Sequence, residues 1–375
     1  MTPIEFRRHL HRCPELSFEE HETAAFITER LTAAGIASRP IAGTGVLATI
    51  VGRRSTPATA RRAVVLRADI DALPIEEQTG LPYASERRGV MHACGHDLHA
   101  AVLYGVLLRL ASDPDFEGTV LGLFQPGEEC NPGGASLVLA EEPFAGYEVR
   151  AVIGEHCEWQ LPVGTLGFRA GKYMAASDEL RLTITGRGGH GARRELLKDP
   201  VQAAASLITA LLTLNGPERV LSIGRVEAAG ATNVIPDRVC LEGTLRTFDE
   251  ADRRAAHGRI AAAAAATDEA FGTRTDVAIS HGYPSVVNDA ALTERAAALA
   301  EACGIPFERL ALRTTAEDFG FYTQRYPALF YRLGVGPDAG ASHTARFAPS
   351  EEAIGFGIDF MTTLAHELLK TDEEE

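Results

Sequence analysis

The chain has 375 residues, more than one ordinary core accommodates and about the right length for two domains. Hydrophobic residues make up 45% and charged residues 23%, the balance of a folded globular protein rather than a disordered or fibrous one. The formal net charge of −15 excludes nucleic acid as a natural partner, because phosphate binding needs clustered Lys and Arg.

The N-terminus, Met1 to Leu10, is charged and has no apolar stretch of signal-peptide type. The most apolar run, Ala261 to Ala266, is far too short to span a bilayer, so no membrane partner is expected. Six cysteines are scattered along the chain and read as reduced thiols, which places the protein in a cytoplasm. The acidic tail Asp372–Glu375 reads as a solvated end.

Taken in chain order, Ala63–Ala68 (AVVLRA) predicts a buried strand and His99–Ala111 a helix. Gly118–Phe124 predicts a second strand, Gly133–Ala140 a short helix and Val149–Gly154 a third strand. This alternation indicates an α/β architecture with helices on both faces of a sheet. Ligands bind such sheets where the strands end. The polar clusters fall there: Asp69 and Asp71, then Gln125 to Glu129, then Glu155 and His156.

The middle of the chain differs. Asp178–Thr185 alternates polar and apolar as a half-exposed strand does. Asp199-Pro200 opens a helix to about Leu214, and strands follow at Val220–Glu227 and Arg238–Thr247. A helix over Glu250–Phe271 and a strand over Asp276–His281 complete a β-α-β-β-α-β order, that of a ferredoxin-like α+β module. We therefore expect an inserted dimerisation domain at 176–284, within a catalytic domain built from 1–175 and 285–375. The edge strands of the insert suggest a homodimer.

The strongest local signal is His92-Ala93-Cys94-Gly95-His96-Asp97. A thiol and an imidazole two residues apart at a glycine turn can converge on one metal ion. Cys94 as a nucleophile with a nearby histidine base is the alternative, and a buried cysteine beside a capping histidine is the plain structural reading. Glu128 and Glu129 follow a buried strand, where one carboxylate can bind metal while its neighbour faces the water that the metal activates. His156 and His343 each follow an apolar run. Singly, each reads as a satisfied polar residue. With Cys94, His96 and Glu129 they make five candidate ligands, enough for two ions about 3.5–4 Å apart.

With these motifs in order, the sequence resembles the dinuclear metallo-amidohydrolases that include hippurate hydrolases, N-acyl-amino-acid deacylases and indole-acetyl-amino-acid hydrolases. The resemblance runs from Arg8-His9-Leu10-His11 and Pro14-Glu15-Leu16-Ser17 through Leu66–Pro74 and the Cys94 and Glu128 motifs. It continues in Gly188–Ala192, Asn233–Pro236, Gly243–Arg246 and Ala316–Phe319, and ends at His343. It implies two divalent ions, zinc, nickel, manganese or cobalt, held by Cys94, His96, Glu129, His156 and His343, with Glu128 as general base. It also implies that His190, from the partner subunit, polarises the substrate carbonyl, and that Asn233 and Arg246 hold the substrate carboxylate. A guanidinium fork suits that last task on chemical grounds too.

The implied reaction cleaves an N-acyl amino acid to a carboxylic acid and a free amino acid. A dipeptidase or aminopeptidase on the same scaffold, a cysteine-nucleophile hydrolase and a catalytically silent metal-binding scaffold are the rivals. Three places depart from the family pattern. Arg194-Glu195 stand where Pro-His is usual, Cys130 follows Glu129, and Glu155 precedes His156. Asp71 and Asp97 read as groups that orient ligands, and His11 as structural.

Overall fold

The structure, a computed structural model, describes residues 1–370, so the acidic tail Asp372–Glu375 lies outside the described residues. It divides into two compact units. The larger comprises Met1–Gly171, Val287–Ala311 and the chain from Phe321 on.

Its centre is an eight-stranded sheet. Across the sheet the strands run Ala37–Ile41, Gly45–Val51, Thr119–Gln125, Arg62–Asp69, Glu148–Glu158, Ala328–Gly334, Leu166–Phe168 and Phe307–Arg309. The four from Thr119–Gln125 to Ala328–Gly334 are mutually parallel, and the two outer ones pair antiparallel with Gly45–Val51 and Leu166–Phe168. The runs Val64-Val65-Leu66 and Val120-Leu121 are buried on both faces, as continuous apolar sequence requires of a parallel strand covered on each side. The helix His96–Ser112 is buried along most of its length and packs against Pro3–Arg12 and Glu352–Leu369. It begins three residues before the sequence pattern places it, at His96 itself.

Sequence periodicity did not reveal the N-terminal helices Pro3–Arg12 and His21–Ala33. The first is opened by a capping box between Thr2 and Glu5, with Pro3 in its first turn. It inserts two charged side chains into the protein. Arg7, fully buried, donates from Nε to Asp97 Oδ2 at 2.9 Å and from Nη1 to the Pro349 carbonyl at 3.0 Å. His11 stands between carboxylates, with Nδ1 2.9 Å from Asp97 Oδ2 and Nε2 3.2 Å from Glu77 Oε1. The structural role read for His11 in the sequence is this bridge.

The smaller unit comprises Lys172–Val286 together with Leu312–Gly320. Its antiparallel sheet runs Arg219–Glu227, Arg238–Thr247, Ala176–Thr185, Arg274–His281, the strand order of a ferredoxin-like module. Leu180, Leu182 and Ile184 point to one face, where helices Pro200–Leu212 and Glu250–Phe271 cover them. The sequence division, 176–284, left Leu312–Gly320 with the larger part. Backbone pairing attaches it to the insert instead: Arg313 N donates to Tyr173 O at 2.9 Å, and Ala175 N reaches Arg313 O at 3.0 Å. No compositional signal marks such a return of the chain.

Burial opposes a charge on His11, but Asp97 and Glu77 outweigh it and raise the imidazole from 6.5 to about 9. A histidine whose pKa is higher in the folded chain stabilises the fold fully below about pH 6.5 and loses that contribution as the pH rises through about 9. The contribution is on the order of 3 kcal/mol. His11→Gln should therefore lower Tm most near pH 6 and least above pH 9–10. A loss of Tm independent of pH across that range would show that His11 acts uncharged.

Candidate metal centre

All four parallel strands end on the same side of the sheet, and each end delivers part of one cluster. Arg62–Asp69 leads through Asp71 to the turn Cys94-Gly95-His96. Thr119–Gln125 leads to Glu128 and Glu129. Glu148–Glu158 carries His156 near its end, and Ala328–Gly334 leads to the loop that holds His343. Gly95 caps the helix that starts at His96, with φ +92°, and a Cβ there would lie 2.6 Å from Cys157 Sγ. Only glycine fits, and the turn aims both flanking side chains inward.

The five candidate ligands and Glu128 meet. Cys94 Sγ lies 3.3 Å from His156 Nε2 and 3.2 Å from His343 Nε2, and His343 Nε2 lies 3.1 Å from Glu129 Oε1. Two donor triads result, Cys94 with His96 and His156, and Cys94 with Glu129 and His343. Cys94 belongs to both. Glu128 groups with His96 and Glu129, their donor atoms within 4.8 Å of one another. The two glutamates leave a loop, not an extended strand, because Gly127 at φ +59° turns the chain. That turn lets adjacent carboxylates share one cavity wall. His343 itself has φ +61°, unusual for a residue with a side chain, and its N–H is held by Ala93 O at 2.8 Å. The last candidate ligand is thus tied to the turn that bears the first.

Hydrogen bonds fix the ligand rings. His96 Nδ1 lies 2.9 Å from the Asp71 carbonyl and 3.1 Å from its carboxylate, which leaves Nε2 as the free donor atom. Asp71 Oδ2 also accepts from the Glu129 N–H at 2.9 Å and the Ser17 hydroxyl at 2.7 Å. His156 Nδ1 bonds the Cys157 carbonyl at 2.7 Å, again freeing Nε2. His99 also groups with Asp69 and His96, and with His156 and Cys157, but both of its ring nitrogens are engaged within the protein. Its Nδ1 bonds Asp69 at 2.6 Å, and its Nε2 accepts the Cys157 N–H at 2.8 Å, so neither nitrogen is free. Asp69 is braced in turn by Arg67 at 2.7 Å.

The electrostatics call for cations. His96 Nε2 is buried without a hydrogen-bond partner and faces Asp69 Oδ2 at 3.8 Å and Glu129 Oε1 at 3.9 Å. Burial disfavours a charged His96, yet Asp69, Asp71 and Glu129 raise it to about 10. Burial, then Glu129, pushes the Cys94 thiol well up. Surroundings that favour imidazolium and oppose thiolate hold surplus negative charge. A divalent ion relieves both at once, taking the neutral imidazole and the thiolate as ligands. The residues present therefore fit a metal pair.

Two of the three family departures are resolved by geometry. Glu155 points into the core, accepting from Tyr331 Oη at 2.9 Å, and burial pushes its carboxyl up to about 8. Cys130 is exposed on the loop beyond Glu129.

The remaining site candidates lie on the smaller unit. His190 is exposed on a short ladder with Val234, and its Nδ1 accepts from Ala192 N–H at 3.2 Å. Asn233 is exposed beside it, its carbonyl accepting from Gly191 N–H at 2.9 Å. Arg246 is half-buried on the strand Arg238–Thr247. Burial lowers its pKa, and Asp178 and Glu179 oppose that. The guanidinium makes no hydrogen bond or ion pair with any described residue.

A parallel-centred sheet with a cluster of thiol, imidazole and carboxylate donors at its strand ends defines a dinuclear metallohydrolase. The chain matches the family described as peptidase family M20/M25/M40 over residues 65–367, and it belongs to that family. It is 40% identical to an N-acetyl-L-cysteine deacetylase of Bacillus subtilis (strain 168), over 99% of this chain and 89% of that protein. It is 36% identical to an N-acetyldiaminopimelate deacetylase of Exiguobacterium sibiricum, over 96% and 97%. Among solved structures, a Bacillus subtilis protein described as a dinuclear metal-binding peptidase of the M20 family aligns with TM-score 0.87 and 35% identity, over 98% and 97% of the two chains. A Staphylococcus aureus protein described as a putative aminohydrolase aligns with TM-score 0.91 and 31% identity, over 98% and 96%. The protein is a metal-dependent amidohydrolase of this family.

The loop that presents Glu128 is tightly enclosed. A Cβ on Gly127 would lie 2.2 Å from the Phe18 ring, and the residue already has φ +59°. Gly127→Ala should cost about 1–3 kcal/mol of stability. Denaturant unfolding of the metal-loaded protein measures this. A stability equal to wild type would mean the loop is looser than the Phe18 contact implies.

Proposed function

We propose that this protein hydrolyses the amide bond of small N-acyl amino acids, releasing a carboxylic acid and a free amino acid. The observation that carries the reading is the pair of donor triads sharing Cys94, with the Glu128 carboxylate beside them. The named relatives support it, since both remove an acetyl group from an amino acid. An N-acetyl amino acid is therefore the first substrate to test.

In this reading Cys94, His96, Glu129, His156 and His343 hold two divalent ions: zinc, nickel, manganese or cobalt. Such a pair supplies Lewis acidity, which lowers the pKa of water and polarises a carbonyl oxygen. Glu128 takes the proton of the attacking water and delivers it to the leaving nitrogen. Asp71 keeps His96 Nε2 and the Glu129 backbone in place while this happens. Arg246 and Asn233 receive the substrate carboxylate, for which a half-buried guanidinium without a partner among the described residues is suited. His190 donates to the carbonyl oxygen as negative charge develops there.

We place the protein in the cytoplasm, where free thiols persist, and all six cysteines are free. No helix among the described residues is long and apolar enough to cross a membrane. We further propose that it acts as a homodimer. The strand Arg219–Glu227 is an edge of the insert's sheet and is largely exposed, which supports pairing there. The partner's His190 then serves the site.

Glu128→Gln should keep both metals and lower kcat about 10²–10⁴-fold. Cys94→Ala should lose metal from both positions, whereas His156→Ala and His343→Ala should each weaken one. Metal content by elemental analysis beside kcat checks the set. Near-normal turnover of Glu128→Gln would remove it as the base.

The substrate carboxylate should be required. Converting it to the primary amide should reduce kcat/KM by about 1.5–3 kcal/mol, the worth of a charge-assisted hydrogen bond. Arg246→Ala should show the same loss and no longer distinguish acid from amide. Equal rates for acid and amide with the wild-type enzyme would remove Arg246 from the site.

A further inference from the structure

The helix His21–Ala33 starts with an anomaly. Glu20 stands at its N-cap position, where a capping Ser, Thr, Asp or Asn side chain accepts N–H groups of its own helix. Glu20 makes no such bond. Glu15 does that work instead, its Oε2 accepting from Thr23 N–H at 2.8 Å. The Glu20 carboxylate is buried and turned to another part of the chain. Its Oε1 accepts from Gly127 N–H at 2.8 Å, across 107 residues of sequence, and its Oε2 accepts from the Thr44 hydroxyl.

Gly127 is the residue immediately before Glu128. Its peptide is fixed on several sides. Its carbonyl accepts from Gly134 N–H at 2.9 Å, the Phe18 ring closes over its α-carbon, and Glu20 holds its N–H. On the other side of Glu128, the Glu129 N–H is held by Asp71. The proposed base therefore sits between two backbone amides, each anchored by a buried carboxylate. Asp71 also serves a ligand ring, whereas Glu20 has no contact with any of the five metal-ligand candidates among its hydrogen bonds.

We infer that Glu20 is a positioning residue for Glu128: by holding the Gly127 N–H it sets the direction in which the base carboxylate enters the site. A proton shuttle must serve both the attacking water and the leaving nitrogen, and a displacement on the order of 1 Å can cost about 10²-fold. The inference rests on Glu128 as the base. It adds that the base is aimed from the N-terminal segment rather than by the metal ligands.

The test is a double-mutant cycle on metal-loaded enzyme with Glu20→Ala, Glu20→Gln, Glu128→Gln and the two Glu20/Glu128 combinations. Glu20→Ala should lower kcat about 10–100-fold, with KM and the content of two metals close to wild type. Glu20→Gln should restore most of kcat, because its amide oxygen still accepts from Gly127 and its NH2 can donate to Thr44. Thr44→Val, which removes only the other bond to Glu20, serves as the control for local packing and should change kcat far less. On the Glu128→Gln background, Glu20→Ala should cost almost nothing further, since no base remains to aim. If Glu20→Ala lowers kcat equally on both backgrounds, Glu20 acts elsewhere and the inference fails while the base stands. If Glu20→Ala lowers Tm and metal content with kcat per bound metal pair unchanged, its role is structural and the inference again fails. If Glu128→Gln retains turnover, the base assignment itself is the failure, whatever Glu20 does.

Discussion

Negative charge gathered at the strand ends is the constraint on which the centre depends. Asp69, Asp71 and Glu128 are buried and Glu129 is partly buried, and they stand close to the Cys94 thiol. Burying such groups is costly unless cations answer them. Without metal, the protein's own response is to draw a proton onto His96 and to hold one on Cys94. Two divalent ions bound there would replace both protons. Metal binding, ligand ionisation and the stability of the strand-end loops are therefore coupled.

The fold makes that arrangement possible by division of labour. Four parallel strands supply a rigid floor and end at one level, so ligands from distant parts of the chain arrive at the same place. Loops bring the donors, and buried carboxylates hold the loops. Asp71 joins the His96 ring, the Glu129 backbone and Ser17. Asp97 joins the helix His96–Ser112 to Arg7 and His11 on the first helix. Asp71 and Asp97 thus each have partners that define their direction, and His96 Nε2 is left without a hydrogen-bond partner, where a metal would take it.

Much of this was legible in the sequence because the chemistry needs unusual residues at unusual places. A Cys-Gly-His turn and a Glu-Glu pair after a buried strand are hard to explain as packing. The continuous apolar run Ala63–Leu66 and the alternating Asp178–Thr185 point to two kinds of sheet for a physical reason, burial on two faces or on one. Other features left no local trace. The start of the central helix at His96 depends on Gly95 adopting a positive φ against Cys157, a tertiary contact. The return of Leu312–Gly320 to the insert is backbone pairing, indifferent to side chains. The engagement of His99 Nε2 depends on a hydrogen bond from the Cys157 N–H. The turning of Glu20 away from its own helix needs Glu15 to take over its cap. In each case the deciding partner lies far away in sequence or in the backbone.

The sharing of one thiolate between two ions is the central claim, and cobalt reports on it directly. Metal-free protein titrated with Co(II) should develop a thiolate-to-cobalt charge-transfer absorption that keeps changing through the second equivalent, and Cys94→Ser should abolish it while the protein remains folded. An absorption complete after the first equivalent, with the second ion bound silently, would place Cys94 on one metal only. The absence of any charge-transfer band in cobalt-loaded wild-type protein would remove the thiolate from the centre.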